Sequence, residues 1–260
     1  HYGYITNFGK AHLEGFGSEI SIIKGKSELY TYLKDNNGLA IINGDDKKQL
    51  KLTQKNKKYI FGNSEKADLY FTPKNVNSNK IILRYNNFDF ESNMIGSYNV
   101  SNVSVAIAFG LFFKIPKKNI MQGLKKYSAI NNRSQWVKKG TNLILMDAYN
   151  AKPSSMKASI NAFIENTKKN RIIILGDMEE LGKYSESEHQ KIANKLQKID
   201  IELLILIGKK FSEVDYEKNN FKKFNNPEDA SKFLNNKKWF NKNFLLKGSR
   251  KNKLEEIINF

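Results

Sequence analysis

Apolar residues follow two rhythms along this chain. In the first half they form short runs at residues 39–42, 59–61, 69–71 and 81–85, each bounded by Asn, Gly, Asp or Pro. Runs of that length between turn-forming residues predict strands. A further short strand is predicted at 4–6, followed by a Gly-rich turn region from Gly9 to Gly17 and an amphipathic helix over 20–33. Val103, Ile107 and Leu111 recur at helical spacing within 98–113. Pro116 is a favourable residue to open the next helix. The polar stretches 34–37 and 75–80 predict loops.

From about Asn131 the rhythm changes. Continuous apolar runs at 143–146, 172–175, 203–207 and 244–246 alternate with helical patterns at 154–167, 185–198 and 227–234, and a last helix is expected from Arg250. A strand that is apolar at every position is covered on both faces. Its alternation with helices predicts a parallel, doubly wound α/β sheet. Such sheets meet ligands at the carboxyl ends of their strands. Asp147, Gly176, Asp177, Lys247 and Gly248 all fall there.

Composition narrows the chemistry. With 260 residues, 40% of them hydrophobic, the chain can bury at least one full core, and its length, between one large domain and two ordinary ones, favours two domains. It contains no cysteine, which excludes disulfides, zinc-thiolate sites and a thiol nucleophile, so any chemistry uses oxygen, nitrogen and metal. No stretch approaches the roughly 20 apolar residues of a membrane helix, and the first residues lack a signal peptide's pattern, so a cytoplasmic protein with no membrane partner is expected. A net charge of +18 raises nucleic-acid binding as a class. The charge is nearly all lysine, scattered through every segment, and the only arginines are Arg84, Arg133, Arg171 and Arg250. No arginine-rich stripe or aromatic RNA-binding motif accompanies it, so no nucleic-acid partner is expected.

One tempting motif fails. Gly25-Lys26-Ser27 looks like the end of a phosphate-binding loop, but Ile20 stands where the first glycine is needed and the residues lie inside a predicted helix. The informative strings are others. Ile5-Thr6-Asn7-Phe8-Gly9-Lys10-Ala11-His12-Leu13-Glu14-Gly15-Phe16-Gly17 leads to Ile23-Lys24-Gly25-Lys26-Ser27. Ile42-Asn43-Gly44-Asp45-Asp46, Gly96-Ser97-Tyr98-Asn99-Val100-Ser101-Asn102 and Asn132-Arg133-Ser134-Gln135-Trp136 follow. Then come Asp147-Ala148-Tyr149-Asn150-Ala151-Lys152-Pro153-Ser154-Ser155-Met156, the stretch 174–182, and Leu246-Lys247-Gly248-Ser249-Arg250. In this order the strings resemble the Mur ligases, and their wording is closest to the members that add D-alanyl-D-alanine to a UDP-N-acetylmuramoyl-tripeptide.

The resemblance implies a fold and a set of roles. Residues 1–131 would be the later part of a central ATP-binding domain and 132–260 a Rossmann-like C-terminal domain, acting as a monomer. The cofactors would be ATP and Mg2+. His12 would ligate the magnesium ion, together with Lys26 as a carbamate, since a carbamate offers the anionic oxygens this hard cation prefers. Asn99 and Asn102, three apart at a helix start, would meet the adenine; helix capping is their bland alternative. Arg133 would approach the ATP phosphates, Asp147 would accept from the ribose hydroxyls, and Tyr149 and Asn150 would flank the nucleotide. Lys247, Ser249 and Arg250 would help to hold the incoming dipeptide. Asp177, Glu179 and Glu180 read as a solvated acidic loop and His189 as a structural helix residue. In the family the sugar-nucleotide domain, the phosphate-binding loop and a magnesium-binding glutamate precede these strings, so residues 1–260 alone are expected to be catalytically incomplete. The rival readings are a Mur ligase that adds a single amino acid, a folylpolyglutamate synthase-like ligase, and a basic nucleic-acid-binding module.

Overall fold

In a computed structural model the described residues are 1–10, 12–64, 66–75, 80–94, 96–127 and 133–257. They form two compact units, His1–Gly9 with Ser18–Ser128, and Lys10–Gly17 with Ala129–Phe260. The expected boundary at 131 and 132, and most of the expected loop at 75–80, lie outside the described residues.

The elements of the first part are β1 (Tyr2–Gly3), α1 (Leu13–Phe16, in the second unit), α2 (Glu19–Asp35), β2 (Leu39–Asn43), α3 (Lys47–Leu52), β3 (Lys57–Gly62), β4 (Leu69–Tyr70), β5 (Thr72–Asn75), β6 (Ile81–Tyr85), β7 (Phe88–Ser92), α4 (Val100–Phe112) and α5 (Lys117–Lys126). Strands β1 to β4 make a parallel sheet in sequence order, and β5, β6 and β7 an antiparallel one. Strand β2 explains why its run is apolar throughout. Ala40 and Ile42 join Ile5, Tyr30 and Leu33 in one core, whereas Ile41 joins Phe61, Phe71, Leu83, Phe90 and Ile107 in another, as the period of two requires. Helix α2 begins where Ser18 Oγ accepts from the Ser21 amide at 3.1 Å. At Gly110 a Cβ would come within 2.7 Å of Ile120 Cδ1, so the close approach of α4 to α5 requires glycine there.

The second unit carries β8 (Gln135–Lys139), β9 (Asn142–Asp147), α6 (Pro153–Asn166), β10 (Arg171–Gly176), α7 (Ser185–Gln197), β11 (Leu203–Ile207), α8 (Lys209–Ser212), β12 (Phe221–Phe224), α9 (Pro227–Asn235) and β13 (Asn243–Lys247). Its six-stranded sheet has the order β12-β11-β10-β13-β9-β8, parallel except for β8. Ile172 and Ile174 share a core with Ile205, Ala230, Leu234 and Phe244, while Ile173 and Leu175 are buried on the opposite face of β10. The doubly wound α/β reading therefore holds. Because β13 inserts between β9 and β10, the ends of β9 and β13 come together and Asp147 pairs in register with Lys247.

Several expectations change. The strand read at 4–6 is β1 at Tyr2–Gly3. The helix expected from Arg250 is instead two 3-10 turns, Arg250–Asn252 and Leu254–Glu256, because Lys253 between them is left-handed (φ 41) and cannot continue an α-helix. Strict alternation is broken by β8, an antiparallel edge strand. Strands β7 and β12 and the short helices α3 and α8 were not among the predicted elements.

Candidate active site

In the first unit Lys26 sits in the middle of α2, confirming that Gly25-Lys26-Ser27 is helix and no phosphate loop. Its Nζ donates to the Asn7 carbonyl at 2.8 Å. Partial burial holds the amine's pKa below its ordinary value. A larger share is then neutral at a given pH, and only a neutral amine can attack CO2. Asn99 is the residue before α4 and is buried, and its Oδ1 accepts from Asn102 Nδ2 at 2.9 Å. Its side chain makes no capping bond to α4, so the bland alternative does not describe it. Instead the two amides orient one another.

In the second unit the carboxyl ends of β9 and β13 assemble a charged cluster. Asp147 Oδ2 lies 2.9 Å from Lys247 Nζ, and Asp147 Oδ1 accepts from the Ser134 amide at 3.0 Å. Lys247 also donates to the carbonyls of Asn150 at 2.8 Å and Asp147 at 3.3 Å. Only 1% of Lys247 is exposed. Its ammonium therefore neutralises Asp147 and ties down the 147–150 turn. Arg133 and Arg250 are exposed and both stand over the Tyr149 ring, with guanidinium carbons 3.8 and 5.7 Å from its centre. A hydrogen bond from Arg133, with the charges of both arginines, holds the Tyr149 phenol below its ordinary pKa. Asn150 Oδ1 accepts from the Ala151 amide at 2.8 Å. Ser249 is buried, and its Oγ has no hydrogen-bond partner among the described residues.

His12 lies in the second unit, at φ 57, with Nδ1 2.5 Å from Glu180 Oε2. The Glu180 carboxylate is also bound by Lys152 Nζ at 2.7 Å. Lys152 carried no assigned role in the sequence and Glu180 only that of a solvated loop residue, although both stand inside the strings quoted above. A buried lysine gives no compositional signal in a chain so rich in solvated ones.

The acidic loop needs correction. Asp177 is buried, not solvated; its carboxylate accepts from the amides of Lys210 at 3.1 Å and Phe211 at 2.9 Å, and burial raises its pKa. His189 is structural as expected. It is fully buried, its Nε2 accepts from the Met178 amide at 3.0 Å, and Nδ1 faces the Ser185 carbonyl at 2.7 Å. Among the described residues no three His, Asp or Glu side chains gather as a ready-made metal cluster. None of the described helices is long and apolar enough to cross a membrane.

Residues 1–110 match the Mur ligase middle domain and residues 132–242 match the Mur ligase, glutamate ligase domain. The chain belongs to the Mur ligase family, whose members are ATP-dependent ligases. It is 33% identical to the UDP-N-acetylmuramoyl-tripeptide–D-alanyl-D-alanine ligase of Buchnera aphidicola from Acyrthosiphon pisum, over 98% of this chain and 58% of that ligase. It superposes on MurF from Acinetobacter baumannii with a TM-score of 0.84 at 25% identity, over 99% of this chain and 58% of that one. The MurF ligase of Thermotoga maritima in complex with ADP shares the fold, with a TM-score of 0.81 at 20% identity, over 98% of this chain and 60% of that one. The chain thus spans somewhat under two thirds of the length of these relatives.

Proposed function

We propose that this chain is the later, ATP-handling and C-terminal part of a ligase that joins D-alanyl-D-alanine to UDP-N-acetylmuramoyl-tripeptide in peptidoglycan precursor synthesis. The observation that carries the reading is the 33% identity to a ligase of that name along 98% of the chain. The cluster at the carboxyl ends of β9 and β13 supports it, because this is where a doubly wound sheet receives its ligands. The acceptor carboxylate attacks the γ-phosphorus of ATP; a carboxylate oxygen–phosphorus bond forms and the bond to ADP breaks. The dipeptide amine then attacks the acyl carbon of this acyl phosphate, and inorganic phosphate leaves.

Asn99 and Asn102 are proposed to meet the adenine, Asp147 the ribose, and Tyr149 and Asn150 the flank of the nucleotide. Arg133 suits the transferring phosphoryl group because a guanidinium gives two parallel bonds to phosphate oxygens. Lys247, Ser249 and Arg250 are expected from the sequence to hold the dipeptide together; because the Lys247 ammonium is buried against Asp147 and the Asn150 carbonyl, Ser249 and Arg250 are proposed to meet the dipeptide carboxylate and Lys247 to fix the 147–150 turn. For magnesium the donor chemistry of each residue fits: the partly buried amine of Lys26 is suited to become a carbamate, and His12 is an imidazole donor. When bound, the ion would offset negative charge on the transferred group.

The test is phosphate release from ATP by the ligase that carries this chain, with UDP-N-acetylmuramoyl-tripeptide and either D-alanyl-D-alanine or single amino acids. Dipeptide-dependent release, lost in Lys26→Ala and His12→Ala, is expected. Release with a single amino acid only would transfer the reading to another Mur ligase.

A further inference from the structure

We infer that Lys152 and Glu180 are positioning residues that fix the tautomer and direction of the His12 ring, leaving its Nε2 as the ligating nitrogen. The inference rests on the reading of His12 as a magnesium ligand. Three observations within the second unit carry it.

The first is a chain of contacts. Lys152 donates from Nζ to Glu180 Oε2 at 2.7 Å and to the Glu179 carbonyl at 2.9 Å, and the same Glu180 oxygen faces His12 Nδ1 at 2.5 Å. The second is backbone conformation. His12 and Glu180 are both non-glycine residues in the left-handed region, at φ 57 and φ 62. Such strain persists only where surrounding structure holds it. Here the Glu14 amide donates to the Glu180 carbonyl at 3.1 Å and Lys10 pairs with Glu188 at 3.1 Å, so the segment carrying His12 is tied on both sides. The third is the pairing of the carboxyl group. Glu180 Oε2 is one half of an ion pair with the Lys152 ammonium at 2.7 Å. A carboxylate so paired can only accept, so Nδ1 must donate. When the imidazole carries a single proton, that proton is on Nδ1 and the Nε2 lone pair is available. Nε2 bonds no described residue. A carboxylate behind the non-ligating nitrogen is the arrangement that orients metal-binding histidines elsewhere.

The His12 tautomer tests this without metal or turnover. The chain has only three histidines, His1, His12 and His189, so long-range 15N spectra of the rings can be assigned. His189 is an internal reference for folding, because its Nε2 accepts from the Met178 amide whatever happens at His12. The wild type should show His12 with its proton on Nδ1. Glu180→Gln should retain it through the amide oxygen, which faces two donors. Glu180→Ala and Lys152→Met should lose it while His189 is unchanged. In the ligase that carries this chain, Glu180→Ala should also raise the half-maximal Mg2+ concentration about 10-fold. A wild-type His12 protonated on Nε2, or a tautomer unmoved in Glu180→Ala, overturns the inference whatever the ligation assay gives. Failure of dipeptide-dependent ligation with the tautomer behaving as stated overturns the functional reading alone.

Discussion

The pair Lys247–Asp147 offers the sharpest stability prediction. Lys247 is 1% exposed and its ammonium has three oxygen partners, the Asp147 carboxylate at 2.9 Å and the carbonyls of Asn150 and Asp147. Lys247→Met keeps the stem's volume and packing but leaves a carboxylate without its counter-charge and two carbonyls without their donor. Breaking a buried pair from one side costs about 3–5 kcal/mol. With a urea dependence of about 2 kcal/mol per molar, a loss of 3 kcal/mol lowers the unfolding midpoint by roughly 1.5 M. Both tryptophans, Trp136 and Trp239, belong to the second unit, so their fluorescence follows that unit specifically. Asp147→Asn combined with Lys247→Met removes both charges, and the double variant should be clearly more stable than the sum of the two losses implies. A cost below about 1 kcal/mol for Lys247→Met, or strict additivity in the double variant, would refute the assignment of Lys247 to Asp147.

Two further outcomes are expected. Gly208 has φ 116, and a Cβ there would stand 2.3 Å from Asp177 Oδ2, so Gly208→Ala should destabilise the second unit by about 2 kcal/mol or more in the same assay; a change within 0.5 kcal/mol, roughly that of a neutral surface substitution, contradicts the geometry. Burial holds the His189 pKa below its ordinary 6.5. Between the depressed folded value and 6.5 the unfolded chain binds a proton that the folded chain does not, so stability should fall as pH drops below about 6.5. Urea titrations between pH 7 and 5.5 should show this slope in the wild type and a shallower one in His189→Gln; equal slopes would mean that His189 takes up its proton in the folded state.

The sheet of the second unit was readable because its central strands are apolar at every position, as in Ile172 to Leu175, and burial on both faces allows nothing else. Its edges were not. Strand β8 offers only Trp136 and Val137 amid lysines, and β12 reads Phe-Lys-Lys-Phe; an edge strand pairs on one side, tolerates charge and loses the apolar signal. At the site the same division applies. Asp147 and Tyr149 stand out because they follow a strand end in a recognisable string. The contact of Lys152 with Glu180 joins loops 28 residues apart, and no local pattern announces it.

This division also sorts the cations at the site by chemistry. Two of the lysines at the second sheet's carboxyl edge, Lys152 and Lys247, are buried and each neutralises a carboxylate of the protein itself, Glu180 and Asp147. The two arginines, Arg133 and Arg250, remain exposed and lean over Tyr149. A compact ammonium serves well as an internal counter-ion with several carbonyl partners, whereas a planar, permanently charged guanidinium stacks on a ring and still presents a fork to a phosphate or carboxylate. Beside Tyr149 the charge presented to an incoming anion is therefore arginine's. Replacing Arg133 or Arg250 by lysine should impair nucleotide or dipeptide handling although the net charge stays the same. Unchanged KM values for both in Arg133→Lys and Arg250→Lys would show that charge alone suffices.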